Sequence, residues 1–348
     1  MRKIISVLML VLLLVVVTGC TVEEKKTDDK NDDKVVRTYK ADGTYMVWKL
    51  GTSNTDLLMP DGTKYTDLEG KGVKVATPAL STLKVTIYND KVVNYEIDEL
   101  QSKAYVKTNK DQTIAMDPET KAVKGVNWVF NSMSKRELEY GYGMEASGKQ
   151  GEWFIQITNL ENYFLENGPK SDDTIKASVT ITFDNYVAMA LEALQNAKDG
   201  KIGAITEKEH YTYDVTYVNA DINEKGEISN VKLNAWLFGN AGENTYTPGH
   251  ADYLKFAWNA TDKYESYGAM SGGKKWQDQM DTLNAYINEN GWDGSLLSGT
   301  TYEDNSFKDK GLNKGGVAVE ALSSVTIQLS REVLVMNMLY KFFPKGWK

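Results

Sequence analysis

Two short stretches of the chain, Ser178–Ile181 and Ser324–Ile327, repeat the pattern Ser-Val-Thr-Ile. The alternation of small or polar residues with apolar ones predicts a strand in each copy. Each stretch soon reaches a residue suited to the N-cap of a helix, Asp184 or Ser330. A strand that feeds a helix in this way can expose a threonine hydroxyl near free backbone N–H donors. The candidate functional residues at these junctions are Thr180 and Thr326.

Tyrosine and glycine are neighbours in two further segments, Tyr140–Met144 and Tyr267–Met270. Glycine beside tyrosine lets a ring lie open at a loop, and the methionine adds a soft, polarizable contact. Two interpretations remain open, an ordinary packed turn or a surface for a flat ligand. In the second interpretation Tyr142 and Tyr267 contact the ligand together with the nearby Trp153 and Trp276.

The first 19 residues predict a lipoprotein signal peptide. Arg2 and Lys3 supply a positive start, Ile4–Val17 is an almost unbroken apolar run, and Val17–Cys20 fits a lipobox. The apolar run is shorter than the roughly 20 residues of a membrane span. We expect Cys20 to carry a diacylglycerol, which would anchor the mature chain on the extracellular face of the cell membrane. The alternative is a short uncleaved anchor.

The residues after the lipobox, 20–37, are predicted to be a solvated tether, because they have mixed charge and almost no apolar side chains. Removal of Arg2 and Lys3 with the signal lowers the formal charge from −8 to −10. An acidic chain without a basic cluster is a poor nucleic-acid binder. The 20 Tyr and 8 Trp indicate strand and core packing, or contacts to a flat ring or a sugar.

Enzyme chemistry has little support in the sequence. The imidazoles are limited to His210 and His250, and there is no G-x-S-x-G nucleophile elbow. No segment has the acid spacing of an EF-hand loop. Cys20 is the only cysteine, so once it is lipidated no thiol remains for a disulfide, a zinc thiolate or a nucleophile. The pattern favours a non-catalytic carrier or a binding protein.

The chain contains an internal duplication. Five identical residues recur at the same offsets of 0, 7, 10, 14 and 15; they are Trp153, Leu160, Tyr163, Asn167 and Gly168 in the first copy, and Trp276, Leu283, Tyr286, Asn290 and Gly291 in the second. Both segments predict a helix with one apolar face that ends at the glycine. The order hairpin, Tyr-Gly segment, Trp helix, S-V-T-I strand, final helix holds in both halves. We therefore predict an α+β fold of two tandem homologous domains, 38–201 and 202–348.

A lipobox, a charged tether and paired α+β domains, the first of which opens with Asp42-Gly43-Thr44-Tyr45, resemble the FMN-binding-domain lipoproteins. These include surface flavoproteins of extracellular electron transfer. In that family a D-x-x-S-G-A-T motif presents a threonine to which the phosphate of FMN is esterified. In relatives the residues before the lipidated cysteine can also be released as peptide pheromones; the matching residues here are 12–19.

The family motif aligns with Glu320–Thr326, where Glu320 replaces the acid and Ser323 matches the serine. The first copy, residues 174–180, keeps the threonine. The resemblance implies FMN as cofactor, held covalently through threonine or non-covalently, with a membrane reductase and a flavin transferase as partners. It implies these cofactor-binding residues: Thr180, Thr326, Ser178, Ser324, Tyr142 and Tyr267.

Ser324, and Ser178 in the first copy, stand at the place of the motif glycine. Glycine allows a positive φ and a close approach of the backbone to phosphate, and serine adopts that conformation only at a cost. The alternative to an electron carrier is therefore a non-redox lipoprotein whose domains have lost flavin. Such a module would bind a peptide, a glycan or another small ligand.

Overall fold

The structure is a computed structural model that describes residues 37–67, 70–116, 118–119, 123–206, 214–240, 258–270, 273–293, 320–325, 327 and 329–347. These residues form two four-stranded, mainly antiparallel sheets interspersed with helices, which agrees with the predicted α+β class; the first sheet also contains a short parallel pairing at Leu57 and Leu58. Several predicted features lie outside the described residues: the signal peptide, Cys20 and nearly all of the tether, both histidines, and Thr326.

The first sheet has the strand order β1-β2-β3-β4. Its strands are β1 (Gly43–Leu58), β2 (Lys74–Tyr88), β3 (Lys91–Val106) and β4 (Val126–Phe130). The predicted hairpin is the β2–β3 connection, where Asn89 and Asp90 have φ of 51° and 58°. Two consecutive positive φ angles suit the twist of a tight hairpin, and asparagine and aspartate tolerate them best after glycine.

Three helices follow the first sheet: α1 (Lys135–Leu138), α2 (Trp153–Asn167) and α3 (Asp184–Asp199). Helix α2 confirms the predicted Trp helix. Its buried apolar face is Trp153, Ile157, Leu160 and Phe164, and it ends at Gly168, which has a φ of 74°. Asp184 was predicted to be the N-cap of α3, but it is the first helical residue. Phe183, one position earlier, is the N-cap.

The second half has the same element order. Its strands are β5 (Lys201–Ile205), β6 (Asp214–Ile222), β7 (Ile228–Asn240) and β8 (Trp258–Asp262), paired in that order. Its helices are α4 (Lys263–Ser266), α5 (Trp276–Asn290) and α6 (Ser330–Phe342). Helix α5 buries Trp276, Met280, Leu283 and Ile287, the same four offsets as α2. Gly291, at φ 77°, ends it.

One hydrophobic cluster contains buried residues from both sheets. The ring of Tyr45 on β1 packs edge-on against Phe343 after α6, with centroids 5.1 Å apart. Phe130 on β4 meets Phe238 on β7 at 5.5 Å. Residues Arg37–Lys348 consequently form one compact unit. The boundary at residue 201, the first residue of β5, remains a prediction.

The predicted S-V-T-I strands are wrong for the residues that the structure describes. Ser178–Ile181 follows a 3-10 turn at Asp173–Ala177 and runs as irregular backbone into α3. Ser324, Val325 and Ile327 likewise lie outside any strand. Val179 and Val325 are buried, so the alternating pattern reflects one anchoring valine in each loop and not a pleated segment.

A smaller apolar cluster lies at the far end of the first sheet and contains Leu57, Tyr65, Val106 and Trp128 among others. Two similar hairpins flank it. In each one an aspartate accepts the backbone N–H and the hydroxyl of the threonine two residues later: Asp61 with Thr63, and Asp111 with Thr113. This second repeat was not predicted, although its sequence signal extends beyond the two turns: seven identical residues recur at an offset of 50, namely Asp61, Thr63, Asp67, Glu69, Lys71, Val73 and Lys74 in the first copy and Asp111, Thr113, Asp117, Glu119, Lys121, Val123 and Lys124 in the second.

Gly203 on β5 lies where the two halves meet. A Cβ atom there would lie 2.7 Å from the carbonyl oxygen of Val218 and 2.9 Å from the ring of Trp48 on β1. We expect Gly203→Ala to lower the free energy of unfolding by about 1–3 kcal/mol, the usual cost of overpacking. Urea denaturation measures this change in the free energy of unfolding. Gly268→Ala is the control, since a Cβ at Gly268 meets no atom within 4 Å; equal losses in both variants would contradict the close contact.

Glu161 ties α2 to β3. Its Oε1 accepts the Ile97 N–H at 2.6 Å and also binds the Arg136 guanidinium. Burial raises the pKa of Glu161 to about 7, against the opposing effect of Arg136. A raised folded-state pKa means that the folded chain holds this proton more tightly than the unfolded chain does. The stabilisation that protonated Glu161 contributes to the folded chain is complete below about pH 4.5, and it is lost as the pH rises through 7.

We therefore expect the unfolding free energy to fall by about 1–3 kcal/mol between pH 4.5 and 7.5 from Glu161 alone. Glu161→Gln keeps an acceptor for the Ile97 N–H and cannot titrate. Urea unfolding of both proteins across this range should give a flatter profile for the variant. Parallel profiles would contradict a titration of Glu161 in this window.

Candidate functional site

Gln156 on α2 holds the loop that carries Thr180. The side chain is buried, and its Nε2 donates to the carbonyl oxygens of Gln150 and Gly151 at 2.8 and 3.0 Å. These two bonds fix the amide orientation, so Oε1 must be the acceptor. That oxygen accepts the N–H of Thr180 at 2.7 Å and the N–H of Ile181 at 3.2 Å.

The Thr180 hydroxyl lies 3.1 Å from the same Gln156 oxygen and therefore donates to it. Thr180 itself is exposed, and its hydroxyl proton points toward Gln156. The prediction of free backbone donors beside this threonine is wrong for residues 180 and 181, because Gln156 accepts both N–H groups. What remains at this loop is an accessible, oriented hydroxyl.

Ser178 has a φ of −115° and a ψ of −9°. This is ordinary backbone that serine adopts without strain, so the first copy of the loop does not need the motif glycine for its conformation. The Ser178 hydroxyl donates to the carbonyl oxygen of Ile175 at 3.3 Å and closes the preceding turn. Ser178 therefore helps to shape the loop, and its predicted contact with a cofactor stays a prediction.

The second half repeats the glutamine contact. Gln279 on α5 is buried, and its Oε1 accepts the N–H of Ile327 at 3.1 Å. Gln156 and Gln279 each stand three residues after the helix tryptophan, a shared Trp-x-x-Gln that the sequence analysis passed over. Ser324 is exposed, and its neighbour Thr326 lies outside the described residues.

An aromatic cleft lies beside the Thr180 loop. The Lys135 ammonium is 5.2 Å from the centroid of the Tyr142 ring and 5.5 Å from that of Trp153. Lys135 also forms an ion pair with Glu99 at 2.6 Å, and Glu99 accepts the hydroxyl of Tyr186 at 3.0 Å. Burial, with Glu99 as a lesser cause, raises the pKa of Tyr186 well above its ordinary value.

The cleft has a volume of about 530 Å³, within the range of roughly 300–1,000 Å³ that is usual for small-molecule sites. Ile181 and Thr182, which directly follow Thr180, form part of its wall, and Lys149 adds a second cation. The structure thus brings the predicted Tyr142 and Trp153 to one cavity that adjoins the loop of the predicted Thr180.

Buried Glu152 positions the Tyr-Gly segment at this cleft. Its carboxylate accepts the N–H groups of Met144 and Glu145 at 2.9 and 3.1 Å. Gly143, at φ 78°, ends the 3-10 turn that carries Tyr142, a conformation that favours glycine. Tyr142 is half-buried, so the predicted role of the glycine in presenting a ring at a loop fits the observed turn.

A corresponding lysine occurs in the second half. Lys263 lies 5.2 Å from the ring of Tyr267 and 4.9 Å from that of Trp276. The acidic residue near Lys263 is the buried Glu332 on α6. The acidic residue near Lys135 is Glu99, which lies on β3. Burial raises the pKa of Glu332, and Lys263 acts in the opposite direction.

Comparisons with protein-family models, with curated proteins and with solved structures found no match. Among the described residues, no group of three or more histidine, cysteine or acidic side chains is arranged to hold a metal ion. Within the same ranges, no helix has both the length and the apolar character needed to cross a membrane. The site must therefore be interpreted from its own geometry.

Proposed function

We propose that this chain is a surface-anchored lipoprotein made of two homologous FMN-binding-like domains, and that it acts as an extracellular electron carrier. One observation supports this most directly. The cleft in the first half combines a tyrosine ring, a tryptophan ring and the loop of an exposed threonine whose hydroxyl is already oriented. These are the groups that a flat ring with a phosphate tail requires.

The residues present fit FMN in the following roles. Tyr142 and Trp153 line the space for the flat ring, and Lys149 offers positive charge to a phosphate. Thr180 would contribute the hydroxyl oxygen to a phosphoester: a flavin transferase would transfer the FMN phosphoryl group from a flavin dinucleotide, with the nucleoside monophosphate as leaving group and the threonine proton passing to solvent. Gln156 is a positioning residue, because it fixes the direction of the Thr180 hydroxyl through the Oε1 contact.

FMN, when bound, supplies one- and two-electron redox chemistry, and the protein binds and orients it. Lipid on Cys20 would keep the carrier at the membrane, near a membrane reductase as electron donor. The second half would hold a second flavin through Thr326, with Tyr267 and Trp276 beside the ring. An acidic carrier suits partners whose docking surfaces are basic.

A non-redox binding module is the second candidate, and the Lys135–Glu99 pair favours it. A contact of 2.6 Å between side chains that are 11% and 13% exposed largely neutralises the cation in the cleft. A neutral planar ligand would then be preferred over a phosphate-bearing one. In that case the aromatic cleft binds a small molecule while Thr180 stays unmodified.

The visible absorption spectrum distinguishes the two candidates. The full chain is co-expressed with its flavin transferase, purified, and measured before and after denaturation. We expect flavin absorbance that stays with the denatured chain. Flavin that is released on denaturation would show a non-covalent site, and a colourless chain that also fails to bind added FMN would favour the non-redox module.

A further inference from the structure

A second cleft, which none of the predicted site residues lines, lies in the second half between the face of β6 and β7 and the helices α4 and α5. Its volume is about 440 Å³. The wall is dominated by asparagine, acidic and tyrosine side chains, and Lys232 is its single basic residue. Its composition thus differs from that of the aromatic cleft.

Three of the five asparagines that line this second cleft are held in place by the backbone of β7. Asn284 accepts the N–H of Leu233 at 3.0 Å. Asn288 accepts the N–H of Val231 at 2.8 Å and donates to the Val231 carbonyl at 3.0 Å. Asn234 accepts the N–H of the next residue at 2.7 Å. Amides that are already fixed reduce the ordering cost of binding. Because the side-chain oxygen of Asn284 already accepts the Leu233 N–H, its NH₂ group is the part that can donate to a ligand.

The carboxylates of the second cleft already accept hydrogen bonds within the chain. Asp262 accepts the Asn234 amide at 2.8 and 2.9 Å and the Tyr217 hydroxyl at 3.2 Å. Asp281 accepts the hydroxyl of Tyr264 at 2.7 and 2.9 Å. The Asn284 amide donor and these carboxylate acceptors are thus held in place on the wall of one cavity, and each carboxylate oxygen can accept a further bond.

The equivalent place in the first half is filled. Arg136, the second residue of α1 as Tyr264 is of α4, donates to the carbonyl oxygen of Ile97 at 2.9 and 3.1 Å and binds Glu161. Glu161 occupies the helix position of Asn284, since both lie eight residues after the tryptophan that begins their helix. In the second half an asparagine and a tyrosine replace this ion pair, and both of these residues line the second cleft.

We propose that the second cleft binds a neutral polyhydroxylated ligand, such as an oligosaccharide. Hydroxyl groups both donate and accept, which matches the fixed Asn284 amide and the carboxylates of the wall, and the exposed ring of Tyr264 can pack against a sugar ring. Anions are disfavoured because Asp262, Glu265 and Asp281 outnumber the single Lys232. A bound metal is disfavoured because the described carboxylates form no cluster that could ligate one.

Isothermal titration tests the proposal on the purified full chain in a detergent without a sugar headgroup. The probes are chitotriose, maltotriose and cellotriose, with spermidine as a cationic probe. We expect at least one oligosaccharide to bind the natural chain. The double variant Tyr264→Arg with Asn284→Glu, which rebuilds the Arg136–Glu161 pair, should weaken that binding at least tenfold, whereas Gln195→Ala on the exposed face of α3 should not change it.

Circular dichroism checks that the double variant folds; if it does not, Asp281→Asn replaces it and should also weaken binding at least tenfold. Three results would overturn the proposal. They are the absence of binding for all three oligosaccharides, unchanged oligosaccharide binding in the folded variant, and binding of spermidine alone. None of these results depends on whether the aromatic cleft holds flavin.

Discussion

Thr180→Val should abolish covalent flavin in the first half of the chain. Valine has nearly the shape of threonine but lacks the hydroxyl oxygen that would form the phosphoester. The backbone N–H of residue 180 would still donate to the Gln156 side chain, so the loop should keep its conformation. Mass analysis of the tryptic peptide 177–198 measures the effect, with an expected change from modified to wholly unmodified peptide.

Two neighbouring variants control this experiment. Thr180→Ser keeps a hydroxyl on the same loop and should retain a measurable fraction of the attached flavin. Thr182→Val removes the other threonine hydroxyl of this segment, which lines the aromatic cleft, and should leave attachment on Thr180. Flavin that persists on the peptide of Thr180→Val would show that another side chain is the acceptor.

Gln156→Ala should cause a large loss of stability. The substitution leaves the N–H groups of Thr180 and Ile181 without their side-chain acceptor, and it empties a position that is 1% exposed. A lost acceptor for a buried donor costs about 1–3 kcal/mol, and truncation inside a packed core adds to it. We expect the free energy of unfolding to fall by about 2–4 kcal/mol, measured by urea denaturation.

Gln195→Ala is the matched control for this stability measurement. Gln195 lies exposed on α3 and bonds only to Asp199 among the contacts described, so its loss should change stability by less than about 0.5 kcal/mol. A similarly small effect for Gln156→Ala would show that the Thr180 loop holds its shape without the glutamine. Gln279→Ala should reproduce the large effect in the second half.

The helices were predictable from the sequence because their signals are local. Trp153, Ile157, Leu160 and Phe164 recur at helical spacing and the helix ends at a glycine, so periodicity and capping suffice. The second copy repeats the same spacing. The β2–β3 hairpin was equally accessible, since Asn89-Asp90 between two apolar runs is a turn signal.

The S-V-T-I loops could not be predicted in the same way. Alternation alone predicts a strand, but a strand needs a neighbour to pair its backbone groups, and here Gln156 accepts them from a helix 24 residues earlier. The serine at the motif glycine position was also misleading as a sign of strain, because Ser178 has a negative φ. Both points depend on tertiary contacts that local patterns do not contain.

The two clefts show the same limit. The sequence grouped Tyr142 with the nearby Trp153, but it gave no sign that Lys135 lies beside both rings. The second cleft gave no sequence signal, since its asparagines come from three different elements and are common surface residues. Only the contrast between Arg136–Glu161 and the corresponding Tyr264 and Asn284 reveals it.

Peptide mapping of the full chain, co-expressed with its flavin transferase, tests the central claim most directly. The account predicts that the peptide 177–198 carries the mass of FMN joined with loss of water, and that fragmentation places it on Thr180. An unmodified peptide from a colourless protein that does not bind added FMN would contradict the electron-carrier account.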